Sequence, residues 1–151
     1  MKRNFATLVC VLMAGASACK QAPPPPPPVV ARPAPTPVPP VSVSAVTLGS
    51  AILENKTISA AKETFGVKDT IYASVATAGV GHAKLRAEWT FAKGDKSAKV
   101  NETTMEFDSA QPAVNEFHIS KPSAWPKGAY RVDIYLNDAT TPSASKSFTV
   151  S

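Results

Sequence analysis

From residue 45 onward the chain alternates between apolar and polar positions. In KLRAEWTFA, residues 84–92, Leu85, Ala87, Trp89 and Phe91 fall on one side, with Arg86, Glu88 and Thr90 on the other. AYRVDIYLN, residues 129–137, sets Tyr130, Val132, Ile134 and Leu136 against Arg131, Asp133 and Tyr135. DTIYASVAT, residues 69–77, does the same with Ile71, Ala73 and Val75, and shorter copies occur at Met105/Phe107, Phe117/Ile119 and Phe148/Val150. A period of two places successive side chains on opposite faces of a strand, so each run predicts a strand with one buried face. Turn-forming clusters separate the runs: AGVGHA at 78–83, AKGDKS at 92–97, DSAQPA at 108–113, KPSAWPKG at 121–128 and NDATTPSA at 137–144. No stretch shows a helical period of any length. About seven or eight short strands at this spacing predict an all-β fold, an antiparallel β-sandwich built on a single core.

Before residue 45 the pattern changes twice. Met1-Lys2-Arg3-Asn4 is basic, and FATLVCVLMAGASA, Phe5 to Ala18, carries no charge. A run of about 10–14 apolar residues is short for a membrane-spanning helix and typical of a signal-peptide core. Basic start, apolar middle and small residues at the end describe a secretory signal over 1–18. Cys19 follows directly, and PPPPPPVVARPAPTPVPPV, residues 23–41, holds eleven of the chain's fifteen prolines and no glycine. Proline fixes φ and removes a donor, so this tract favours extended polyproline II and reaches about 60 Å as a semi-rigid spacer. Proline-rich tracts also serve as recognition motifs, but low complexity is sufficient for spacing. The expected organisation is a signal at 1–18, a linker at 19–44 and a folded domain at 45–151.

Gly15-Ala16-Ser17-Ala18-Cys19 resembles the lipobox of bacterial lipoproteins, with Ala16 where that family most often has leucine. The resemblance implies that the Cys19 sulfur carries a diacylglycerol and that the new N-terminus is usually acylated too, with palmitate as the expected acyl group. Two acyl chains make a stable anchor where one does not. Lys20 stands where an aspartate would resemble the inner-membrane retention signal, so the resemblance implies the outer membrane of the bacterial cell envelope. Ordinary secretory cleavage after Ala18 would leave the same first residue without lipid. Either way Cys10 leaves with the signal and Cys19 is the one remaining cysteine, which excludes an intramolecular disulfide and a thiolate metal site.

Charge follows the same division. The whole chain is +5 with a pI near 9.3. Residues 45–151, however, hold twelve Lys and Arg against eleven Asp and Glu, a net +1. The folded part lacks the clustered basic surface that nucleic-acid binding uses.

Two further features concern the domain. Trp89 falls where immunoglobulin-type sandwiches commonly bury a tryptophan. PSAWPKGAY, Pro122 to Tyr130, resembles the loop that leads bacterial immunoglobulin-like and fibronectin-like domains into their penultimate strand, with a tyrosine near its start. Together with the lipobox and tether, the chain looks like a Gram-negative lipoprotein with an immunoglobulin-like domain. That class implies an envelope location and a binding or structural role rather than a reaction.

The candidates for chemistry read blandly. His82 in GVGHAK invites a phosphate-loop reading, but the glycines do not match GxxxxGK[ST], and a hairpin loop is the expectation. His118, between Phe117 and Ile119, is expected on an outward strand face. Two histidines with no HxH or HExxH spacing make no metal site. Glu102 and Glu106 share a strand face and read as a solvated surface rather than a glycosidase pair. No catalytic residue, metal or cofactor is therefore expected. Aromatic residues remain as candidate anchors, Tyr72 and Tyr135 on outward faces and Trp125 between two prolines, against the plainer readings of Trp125 as a plug closing the end of the sandwich and of Tyr135 as packing on Arg86 or Thr90. Tyr and Trp bury much area at little entropic cost at interfaces. The expected partner is an envelope protein or glycan, and the alternatives are an inhibitor or accessory subunit of an envelope enzyme, or a glycan-binding module stacking on Trp125.

Overall fold

A computed structural model describes residues 39–151, apart from Asp95 and the side chain of Lys93. The expected signal, the Cys19 attachment point and most of the linker lie outside the described residues. Eight strands follow one another without a helix: β1 (Ser42–Gly49), β2 (Thr64–Phe65), β3 (Ile71–Ala78), β4 (Gly81–Lys93), β5 (Lys96–Ser109), β6 (Ala113–Ile119), β7 (Gly128–Leu136) and β8 (Ala144–Val150). They form a three-stranded sheet of order β1-β3-β6 and a five-stranded sheet of order β2-β8-β7-β4-β5. The all-β sandwich is as expected, with one departure from the antiparallel rule: β2 pairs β8 in parallel.

The alternation builds the core directly. Ile71, Ala73 and Val75 of β3, Leu85, Ala87 and Trp89 of β4, and Val132 and Ile134 of β7 are all fully buried. Phe65, Phe117, Phe148 and Tyr130 close round them, with Tyr130 and Phe148 stacked at 5.3 Å and Trp89 edge-on to Phe148 at 5.9 Å. Such offset and edge-to-face pairs stabilise a little beyond the area they bury. Trp89 on β4 is thus the buried tryptophan that the sandwich reading required.

Three expectations change at the junctions. The first strand begins at Ser42, and Val41 is already buried, so ordered chain reaches into the segment read as linker. A shift of register between Val43 and Ala45 breaks the alternation there, which hid β1 from a period-two reading. The 78–83 cluster is not a hairpin loop, because β3 and β4 belong to different sheets. Gly79, at a φ of 99°, turns the chain from one sheet to the other. A Cβ there would lie 2.2 Å from the Pro40 carbonyl oxygen. Only glycine both accepts that φ and leaves room for the incoming Pro39–Pro40 segment. His82 accordingly sits on β4 rather than in a loop, opposite Asp108 of β5.

Candidate binding surfaces and an apolar cleft

The outer face of the five-stranded sheet carries a charged cluster. Glu88 of β4 and Glu102 of β5 are direct cross-strand neighbours, an arrangement that repels. Two cations relieve it. Arg86 Nη1 lies 3.3 Å from a carboxylate oxygen of each glutamate, and Lys99 Nζ lies 3.3 Å from Glu88 and 2.8 Å from Glu102. The Lys99 hydrogen bond holds the Glu102 carboxyl below its ordinary pKa, and Glu102 and then Glu88 raise the Lys99 ammonium in return. Glu102 is thus a strut within an ion-pair network.

The Arg86 guanidinium also lies 3.9 Å from the centre of the Tyr135 ring, its partner on β7. Tyr135 points outward as expected, but Arg86 occupies one of its faces. Tyr72 lies on the outer face of the opposite, three-stranded sheet, 5.4 Å from the ring of His118. His118 is exposed, with Nδ1 2.6 Å from Glu116 Oε1, and His82 Nδ1 is 3.0 Å from Asp108 Oδ1. Among the described residues no group of three or more His, Cys, Asp or Glu is placed to hold a metal.

Trp125 is not an outward anchor but the plug at the end of the sandwich that the sequence offered beside that role. Only 5 % exposed, it packs into the core. Its backbone N–H donates to the Val67 carbonyl at 2.7 Å and its indole N–H to the Asp69 carbonyl at 2.9 Å. The flanking prolines present the ring to the end of the sandwich, where it closes the core against Tyr130, 6.1 Å away and nearly perpendicular. The three aromatic candidates therefore share no surface: two lie on opposite sheets and one is inside.

What the structure does assemble is a cleft of about 350 Å³ at the same end, lined in part by residues of β5 and β6, the edge strands of the two sheets. Phe91, Val100, Ile119, Trp125 and Tyr130 give it apolar walls, and Asn101, Ser120 and Lys121 give it a polar rim. Val100 escaped the sequence reading because β5 bulges there. Trp89 pairs with Asn101 and Thr90 with Lys99, so Val100 is the extra residue. Bulges of this kind re-aim a side chain, and this one sends Val100 into the cleft.

Among the described residues, the lining includes no carboxylate and no histidine. The Tyr130 hydroxyl donates to the Pro126 carbonyl at 2.8 Å, and burial pushes its pKa up. That phenol is committed as a donor and unsuited to act as a base. The cleft is built to hold an apolar group.

Neither a protein-family profile nor a curated protein sequence matches this chain. Among solved structures it is similar to a β-glucosidase of Erythrobacter marinus, with a TM-score of 0.52 and 8 % identity over 74 % of this chain and 15 % of the enzyme. A β-glucosidase of Listeria innocua in complex with gluconolactone gives a TM-score of 0.44 and 8 % identity over 73 % of this chain and 15 % of that one. A Pseudomonas fluorescens alkylpurine DNA glycosylase bound to DNA containing an abasic site analog gives 0.44 and 12 % over 73 % and 30 %. The chain thus spans about 15 % of the length of these glucosidases. The likeness to the Erythrobacter protein is one of fold alone.

Proposed function

We propose that this chain is a lipid-anchored protein of the bacterial cell envelope whose sandwich binds a partner protein without transforming it. The observation that carries the reading is the lining of the cleft, whose described residues offer apolar walls and a polar rim but no carboxylate, histidine or cysteine to activate Ser120 or to ligate a metal. Cys19, between small residues and a proline tract, supports anchoring at the outer membrane. The inward position of Trp125 favours a protein over a glycan, because an indole only 5 % exposed at the floor of a recess presents too little of its face for a sugar ring to stack on. An inhibitor or accessory subunit of an envelope enzyme is the form of partner binding that differs only in what is bound.

The test has two arms. Cys19→Ser is expected to leave the membrane fraction or to accumulate as precursor, and unchanged retention overturns the anchor. Photo-crosslinkers introduced at positions 72, 100 and 135 in living cells are expected to capture a discrete protein. Hydrolysis of nitrophenyl glycosides by the purified chain, or the absence of any crosslinked species, overturns the non-catalytic binding role.

A further inference from the structure

We infer that the cleft receives an apolar side chain from an extended, acidic peptide of a partner protein, and that this peptide lies along the free edge of β5. The inference rests on the partner-binding reading above and adds the chemistry of the partner.

Three observations converge on it. The first is the edge itself. β5 is the terminal strand of its sheet and runs for fourteen residues, so among the described residues no strand faces the backbone groups on its far side. A row of unpaired N–H and C=O groups is a template for an added strand, which gains affinity from main-chain hydrogen bonds and specificity from pockets for alternate side chains. The second is the position of the cleft, which is lined in part by residues of this edge strand and of β6. A strand laid on β5 would direct every second side chain toward the inner face of the sheet. The β5 bulge at Val100 lines that route with an apolar wall. Trp125 and Tyr130 form the floor and are 5 % and 3 % exposed, so the feature is a recess that accepts a side chain. A bilayer surface would instead engage protruding apolar groups.

The third observation is charge. Lys121 lines the cleft, Lys127 lies in the same β6–β7 connection, and Lys96 begins β5. Among the described residues no carboxylate pairs with Lys121 or Lys127. Lysine and a bulge on an edge strand discourage a second copy of the same chain from pairing there. An acidic segment meets the same lysines favourably, so one set of charges rejects the self-pair and selects the partner.

The experiment uses the full-length lipidated chain in detergent micelles as bait for a displayed library of random nine-residue peptides. The expected outcome is enrichment of sequences with one large aliphatic or aromatic residue flanked by Asp or Glu. A selected peptide should bind at least tenfold more weakly to Val100→Glu and to the double variant Lys121→Glu/Lys127→Glu. Binding to Ser44→Ala, altered at an exposed position of β1 on the other sheet, should be unchanged. The lysine reversals sit on the surface and leave the core untouched, so they decide the matter even if Val100→Glu fails to fold. No enrichment, or enriched peptides indifferent to the lysine reversals, overturns the inference. So does the absence of peptides combined with lysine-dependent binding of the Cys19→Ser chain to phosphatidylglycerol vesicles, which would reassign the end to a lipid surface. If crosslinks from positions 72 or 135 still capture a protein while the cleft variants change nothing, the broader binding role stands and only the peptide inference falls.

Discussion

The Tyr130 hydroxyl donates to the carbonyl oxygen of Pro126, four residues upstream, and so ties the start of β7 to the loop that carries Trp125. A tyrosine bonded back to the preceding corner is a recurrent device of immunoglobulin-like sandwiches. Here it holds the floor of the cleft. Tyr130→Phe keeps the ring and its stack on Phe148 but leaves the carbonyl without that donor. The expected loss is about 1–2 kcal/mol, read as a lower urea midpoint at unchanged m-value. An unchanged midpoint would show that the corner contributes nothing.

Among the described residues Trp89 is the largest fully buried side chain, and its indole N–H finds no hydrogen-bond partner there. Trp89→Ala should cost about 3–5 kcal/mol out of a total of about 5–15 kcal/mol. Trp89→Phe leaves a smaller void and also removes the unpartnered donor. Its expected cost is below about 2 kcal/mol. Thermal melts of the two variants check the order, and equal losses would contradict it.

Arg86 and Tyr135 form a stacked pair beside the glutamates. A double-mutant cycle with Arg86→Ala and Tyr135→Ala should give a coupling of about 0.5–1 kcal/mol. Arg86→Ala should also lose stability in low salt more than in high salt, because it leaves the facing Glu88 and Glu102 with Lys99 as their sole relief. Zero coupling would mean that the stack is incidental.

Asp69 accepts from Lys62 Nζ at 2.8 Å and from the Gly66 N–H at 3.0 Å, and these bonds lower its pKa. A carboxyl whose folded pKa is depressed stabilises the fold above its unfolded pKa of about 3.9. That contribution is lost as pH falls through the folded value. Asp69→Asn should therefore be less stable than the parent at neutral pH, with the gap closing below about pH 4. Chemical denaturation at pH 7 and pH 3 measures both, and a constant gap would refute the assignment.

The strongly alternating strands were legible in the sequence because one face of each is buried and the other wet. β3, β4 and β7 therefore announced their inward residues correctly. The alternation fails where the backbone departs from regular pairing. Bulges displaced the pattern in β1 and at Val100, and β2 is two residues held in place by β8 rather than by its own composition. Which strands share a sheet is also invisible locally. A glycine-rich turn reads the same whether it closes a hairpin or, as at Gly79, carries the chain across the sandwich. The cleft draws on β4, β5, β6, β7 and the loop between the last two, and only tertiary structure brings those residues together.

The Pro39 carbonyl accepts from the Val80 N–H at 3.1 Å, so the chain joins the sandwich beside the start of β4, whereas Phe91 in the cleft lies near that strand's other end. Ten residues of strand separate them, roughly 33 Å. Tension between the N-terminal segment and a partner held in the cleft would therefore run parallel to the strands. β1, paired with β3 from Ser42 opposite Ala78 to Gly49 opposite Tyr72, would be pulled lengthwise. Its cross-strand hydrogen bonds would then carry the load together in shear, instead of unzipping in turn from an end. If the chain is anchored and binds as proposed, the placement of entry and cleft would make the domain a mechanically sound coupling between the two.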